Sequence, residues 1–300
     1  MSEQAHPESS LASLRAHTPA RIGLARTGSS LTTRDALDFT LAHAQARDAV
    51  HAALSLPTLL AELSARKLPV LSVKSAAPDR ATYIRRPDLG RVLSAAARTQ
   101  LMASVENLVP AGPPNQGTAI PRLTIILADG LSALATDRHA LPLLDALLPR
   151  LHVAECVAKL DSGAADPDNT PQAEWQLTPI VVAEQARVAL GDEIGEALGA
   201  SLTLMLLGER PGLSAADSLG AYITWAPAPG RTDAQRNCVS NIRTGGLDPI
   251  AAAHRIAFYL REARRLQLTG TALKDPDPAA PLLSATNDSN TGVSPLRSGR

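Results

Sequence analysis

The sequence predicts an α/β fold: a doubly wound, mostly parallel sheet preceded by a smaller helical N-terminal region. Three observations predict it. Four short apolar runs, 123–128 (LTIILA), 177–183 (LTPIVVA), 201–207 (SLTLMLL) and 221–226 (AYITWA), have the unbroken hydrophobicity of strands buried on both faces. Helical stretches lie between most of them, the βαβ rhythm of a parallel sheet. Residues 109–121 carry four prolines and two glycines, which reads as a linker between the strand-bearing part and residues 21–108.

Taken in order, residues 1–20 are polar and alanine-rich, a flexible arm, and 21–30 (RIGLARTGSS) is a loop. Thr32 and Asp35 have capping-box spacing, so a helix should cover 33–54, with Phe39, His43, Ala46, Val50 and Ala53 on one face. Pro57 opens a second helix to 67, and 69–73 is extended. Pro87 suits a first helical position, giving a third helix over 87–108. Past the linker, the strand 123–128 ends at Asp129-Gly130, and a helix follows over 132–151. The strand 177–183 leads to a helix over 188–199. The strands 201–207 and 221–226 then precede a helix over 248–266 with Ile256, Leu260, Ala263 and Leu266 on one stripe. The organisation is therefore arm 1–20, helical region 21–108, linker 109–121, α/β domain 122–269, and a tail 270–300 whose Asp, Asn, Ser, Pro and Gly read as disordered.

Composition excludes several functions. Lys plus Arg and Asp plus Glu both number 29, so there is no cationic excess to release counterions from nucleic acid. Aromatics are 2%, too few for base-stacking platforms. The two cysteines, Cys156 and Cys238, cannot form a CxxC site or a disulfide framework, and a reduced intracellular protein is the simpler reading. The N-terminus has no secretory h-region, and no apolar run reaches the ~18–20 residues that span a bilayer.

Ligands of open α/β sheets bind beyond the carboxyl ends of the strands. Two turns fall there: Ala128–Ser132 (ADGLS) and 208–212 (GERPG). Ordinary strand-to-helix turn chemistry explains them equally well. The runs 130–134 (GLSAL) and 212–216 (GLSAA) resemble a nucleophile elbow but lack its second glycine. No GxGxxG and no GxxxxGK[ST] occurs. Gly191, Gly195 and Gly199 recur every four residues, which suits close packing of a helix on the sheet or on a bulky ligand. Asp137-Arg138-His139 lacks the glycine of DxHxxG, the cobalt-ligating motif of some B12 proteins, and lies inside a predicted helix. No metal-ligand set emerges from the other histidines; His43, Arg47 and His51 read as a solvated or interface-facing stripe. Cys238 has no histidine partner assignable from sequence and reads as a small buried residue that lets a ligand approach. No acid, base or nucleophile constellation is evident.

Seven blocks in order resemble one family: 20–29 (ARIGLARTGS), 43–50 (HAQARDAV), 83–91 (YIRRPDLGR), 128–132 (ADGLS), 192–200 (DEIGEALGA), 208–213 (GERPGL) and 238–246 (CVSNIRTGG). The family is the small subunit of ethanolamine ammonia-lyase. The resemblance spans residues 20–268 and implies a Rossmann-like C-terminal part and a complex with a large barrel subunit, six copies of each. It implies an enzyme that uses adenosylcobalamin, base-on, to turn ethanolamine into acetaldehyde and ammonia by a radical route, with cobalamin between the subunits. The contacts that carry over are Val188, Glu209 and Cys238; substrate chemistry falls mainly to the large subunit, and this chain alone should be inactive. The implied location is the cytoplasm, which a bacterial microcompartment could further enclose. The competing readings are a non-catalytic Rossmann-like module for another nucleotide-like ligand, and a purely structural partner.

Overall fold

The computed structural model describes residues 20–108, 120–154 and 173–274, with Leu14, His17 and Thr18. Most of the expected arm and linker, the tail beyond 274, and Cys156 lie outside the described residues. A small hairpin of β1 (Arg26–Thr27) and β2 (Ser30–Leu31) precedes α1 (Thr33–His51) and α2 (Leu56–Ala65). Next come β3 (Val70–Lys74), α3 (Arg80–Arg85), α4 (Ala95–Leu108), β4 (Arg122–Ala128), α5 (Ala133–Leu147), β5 (Val153–Ala154), β6 (Trp175–Leu177) and β7 (Ile180–Glu184). The chain continues through α6 (Leu190–Ala197), β8 (Leu202–Gly208), β9 (Leu219–Trp225), β10 (Asn237–Ile242) and α7 (Pro249–Leu266).

One sheet runs in the order β10-β9-β8-β4-β6-β5, with β7 also beside β4 and β3 beside β7. It corrects the expected doubly wound, mostly parallel sheet: the sheet is mixed. The pairs from β8 to β3 and β5 are parallel, but β9 is antiparallel to both β8 and β10. Connection length is the physical reason. A parallel return needs a crossover of a dozen or more residues, usually a helix, whereas residues 209–218 between β8 and β9 hold no helix. The expected strand 177–183 is two strands. Leu123 of β4 pairs with Leu177 but Ile126 pairs with Val181, so one extra residue is absorbed at Thr178-Pro179, where proline cannot donate to the ladder. The extended segment near 69–73 is β3, which joins this sheet rather than standing apart among the N-terminal helices.

The helices follow local signals. Thr32 caps α1, accepting from the Asp35 backbone N–H at 3.2 Å. The buried residues of α1 are Ala42 and Ala49, not the predicted stripe; Phe39 is exposed, because the helix lays small side chains against its neighbours. The expected helix 87–108 is corrected too. Asp79 accepts from Thr82 N–H at 2.8 Å and starts α3 earlier, and Ser94 accepts from Ala97 N–H at 3.1 Å and starts α4 later. Asp248, where the expected helix begins, caps α7, and Ile256, Leu260 and Ala263 are buried, but Leu266 is exposed at the helix end.

Alternate residues of the strands feed two cores. One face carries Leu123, Ile125 and Leu127 of β4 with Leu202, Leu204 and Leu206 of β8 under α2, α5 and α7. The other carries Ile126, Val181, Ala183 and Met205 under α4 and α6. Gly195 of α6 approaches β8 so closely that a Cβ would meet Thr203 at 2.4 Å, and Gly191 lies against Met205; both pack on the sheet, while Gly199 lies past the helix end. Among the described residues, no helix is long and apolar enough to cross a membrane.

Candidate functional site

The two turns singled out at the carboxyl edge pack against each other. A Cβ on Gly130 would lie 2.1 Å from the Gly208 carbonyl oxygen, and one on Gly208 would lie 2.0 Å from the Ser132 carbonyl oxygen. Glycine at both positions lets the backbones meet, and Leu131 N–H donates to Gly208 O at 2.9 Å. Ser132, in the first elbow-like run, is buried and donates to Ala216 O at 2.8 Å, so the run is turn structure. Asp129 is buried beside it, 3.1 Å from Arg80, and its Oδ1 accepts from Ala186 N–H at 3.1 Å. Burial pushes its carboxyl up to about 6, against the opposing pull of Arg80. Arg80 also donates to Gly130 O and to Val50 O, each at 2.8 Å, fastening α3 and the end of α1 to this edge. These bonds account for the edge as architecture.

His139 lies within α5, nearly buried, with Nε2 3.3 Å from Asp217 Oδ2. His43, Arg47 and His51 are exposed, as a solvated stripe should be. No group of three or more His, Cys, Asp or Glu fit to hold a metal ion occurs among the described residues.

Glu209 and Cys238 come together on the antiparallel side of the sheet. Glu209 directly follows β8. Its N–H donates to Ser218 O at 2.9 Å, and its Oε2 accepts from Ser218 Oγ at 2.5 Å and from Asn241 N–H at 3.4 Å. That last donor is available because the β9–β10 register shifts between Val239 and Ile242 and Asn241 takes a left-handed conformation (φ 61°). Cys238 pairs directly across β9–β10 with Tyr222, whose hydroxyl donates to the sulfur. Cys238 is exposed, not the small buried residue expected, because β10 turns alternate residues outward and Val239 inward. Its sulfur is nonetheless crowded. Loss of water around it, and then the Glu209 charge, push the thiol up to about 11, only partly offset by the Tyr222 hydroxyl. Burial, with Cys238 and Glu209 nearby, also holds the Tyr222 phenol far above its usual range.

Val188 lies in the β7–α6 connection, half-buried against the α4/α6 core on the same sheet face as Tyr222. It sits across β4 from β8, so the structure joins Glu209 to Cys238 and leaves Val188 farther along the edge. Sequence reasoning missed Tyr222, Gly220, Ser218 and Asn241. The signal that finds them is the hairpin itself: a helix-free connection after β8 makes β9 antiparallel and sets Tyr222 opposite Cys238. It also missed the buried pair Arg236–Asp192, whose two bonds of 2.7 and 2.6 Å tie the start of β10 to α6.

Together these features define an α/β protein whose mixed sheet leaves Tyr222 half-buried and Cys238 exposed on its antiparallel side. Comparison with known proteins supplies the particular family. The model of the ethanolamine ammonia-lyase light chain matches residues 8–274. The ethanolamine ammonia-lyase small subunit of Bradyrhizobium diazoefficiens is 50% identical over 276 residues, covering 92% of this chain and 94% of that protein. Those of Pseudomonas fluorescens and Azotobacter vinelandii are each 48% identical, covering 90% and 87% of this chain and 88% and 87% of theirs. The chain belongs to the ethanolamine ammonia-lyase small-subunit family and is thus a subunit of a lyase.

Proposed function

We propose that this chain works with a large subunit to convert ethanolamine into acetaldehyde and ammonia, and that its open surface holds part of adenosylcobalamin at the junction of the two. The observation that carries the reading is the convergence of Glu209, just past β8, and exposed Cys238 of β10 beside half-buried Tyr222. A corrin ring is wide and largely apolar, with amide arms, and needs small side chains and a few polar anchors. The patch suits it. Cys238 is small and exposed, and Glu209 has its Oε2 engaged by the loop while its Oε1 lies over buried Gly220. A thiol pushed up to about 11 stays protonated at neutral pH and offers no thiolate to the metal. His139 of α5 is engaged with Asp217 of the β8–β9 connection, which supports a cofactor that keeps its own base.

When bound, the cofactor supplies the radical chemistry. Glu209 accepts from an amide arm, Cys238 and Val188 give close apolar contact, and the chain helps keep water from the reacting centre. Assembly with six copies of each subunit in the cytoplasm, within a microcompartment or outside one, belongs to the same proposal. The test is a cobalamin titration of this chain alone, the large subunit alone, and the two mixed, with turnover of ethanolamine followed in each. Full-affinity binding and turnover should require both. Turnover by this chain alone, or binding by the large subunit alone as tight as by the mixture, would overturn the reading.

A further inference from the structure

We infer that Tyr222 is a further ligand-contacting residue of this surface and that Gly220 is the positioning residue that seats it. The inference rests on the cobalamin reading above and goes beyond the residues it named. Tyr222 and Gly220 are two apart on β9, so both face the side away from α7. Their neighbours show what the glycine does. A Cβ at position 220 would lie 2.8 Å from Glu209 Oε1, 3.0 Å from Tyr222 Cε2 and 3.2 Å from Glu209 Cγ. The carboxylate and the phenol ring therefore occupy the space a side chain would take. Glu209 has little freedom to yield, since Ser218 Oγ and Asn241 N–H both hold its Oε2.

The ring is only half-buried, and beside it lies exposed Cys238, whose sulfur its hydroxyl meets. Glu209, just past the end of β8 and reaching over Gly220, thus lies beside the cross-strand pair of Tyr222 and Cys238 in one strip. A flat ring in the middle of such a strip gives a broad ligand its largest apolar contact, and its hydroxyl gives a polar edge. Gly220 acts through Glu209 and Tyr222. Any side chain there displaces the carboxylate or tilts the ring, while the surrounding β9 pairs, Ala221 with Leu206 and Val239, can remain.

The experiment uses the assembled two-subunit enzyme carrying Tyr222→Phe, Gly220→Ala or Glu209→Ala. It reads cobalamin affinity by titration and the pH profile of Cys238 alkylation in the cofactor-free complex, with assembly checked by size. Tyr222→Phe should weaken cobalamin roughly 3- to 10-fold, the scale of one lost hydrogen bond. It should also move the Cys238 profile to higher pH, because the hydroxyl now favours the thiolate. Gly220→Ala should weaken cobalamin at least as much while the complex still assembles. By displacing Glu209 it should also move the Cys238 profile to lower pH, whereas a glycine that served only the strand would leave that profile in place. If Glu209→Ala weakens binding but Tyr222→Phe and Gly220→Ala bind as wild type, the inference is wrong and the cobalamin reading survives. If all three bind as wild type, the surface is not the cofactor site and both fall. Should Gly220→Ala fail to assemble, Tyr222→Phe decides alone.

Discussion

The two faces of the sheet differ where the strands become antiparallel. On the α5/α7 face, burial is unbroken from the centre to the edge: Leu204 and Leu206 of β8, Ala221 and Ile223 of β9, and Val239 of β10 are all buried. On the other face it declines outward, from Met205, 1% exposed, to half-buried Tyr222 and exposed Cys238. The same strands contribute to both faces, so β-propensity cannot explain the difference. What differs is the cover: α7 lies along β9 and β10 on one face, while α6 reaches β8 on the other. A sheet sealed on one side and open on the other is both rigid and accessible, which is what a contact surface for a large ligand requires.

The comparison breaks most sharply at Arg236, which bounds the open surface. Its guanidinium is buried, bonded at 2.7 and 2.6 Å to Asp192, at 2.9 Å to Thr224 Oγ1 and at 3.0 Å to Arg231 O. Removing one partner of such a pair leaves a buried charge uncompensated, so Arg236→Ala should lose about 3–5 kcal/mol in denaturant unfolding. A loss below about 1 kcal/mol would mean that α6 is not fastened to β10 through this pair.

Asp129 comes next, and it asks whether the carboxyl edge of β4 is architecture. Its carboxyl, raised by burial to about 6 from an ordinary 3.8, holds its proton more tightly when folded than when unfolded. The stabilisation is complete below pH 4 and is lost as pH rises through 6, about 3 kcal/mol in all. Unfolding free energy measured between pH 4 and 7 should show that slope for the native chain and a flatter one for Asp129→Asn. Equal slopes would contradict the assignment.

A smaller effect sharpens the open face. In a Cys156→Ser background, the alkylation rate of Cys238 should climb with pH until about 11. Near neutrality it should run about 100-fold slower than that of an ordinary thiol, since the thiolate is the nucleophile. A midpoint near 9, the ordinary thiol value, would show that Glu209 and Tyr222 do not crowd the sulfur.

Much of this was legible in the sequence. The runs at 123–128 and 201–207 became central strands because continuous hydrophobicity reports burial on both faces, and the cap at Thr32 is local hydrogen-bond chemistry. Direction was not legible from hydrophobicity: AYITWA reads alike in a parallel or an antiparallel strand, and only the short connection 209–218 separates the two. The strand 237–242 (NCVSNI) was hidden by its own polarity, since an edge strand with one open face buries only alternate residues. The early start of α3 was masked by Pro87, a stronger cue than the Asp79–Thr82 cap. At the site, Glu209 and Cys238 came from family motifs, while Tyr222 and Gly220 depend on register, which only tertiary pairing fixes.

The most direct test of the open face as a cofactor surface is the cobalamin affinity of the assembled enzyme carrying Glu209→Ala. Arg210, Pro211 and Gly212 keep the turn, and the Glu209 backbone N–H still donates to Ser218 O. Loss of one polar anchor, about 0.5–3 kcal/mol, predicts affinity lowered roughly 2- to 100-fold, with assembly kept and cofactor-free stability lowered by about 1–3 kcal/mol because the bonds to Ser218 Oγ and Asn241 N–H go with the carboxylate. A variant that assembles poorly yet binds cobalamin normally whenever it does assemble would instead make Glu209 an interface or folding residue and contradict the account.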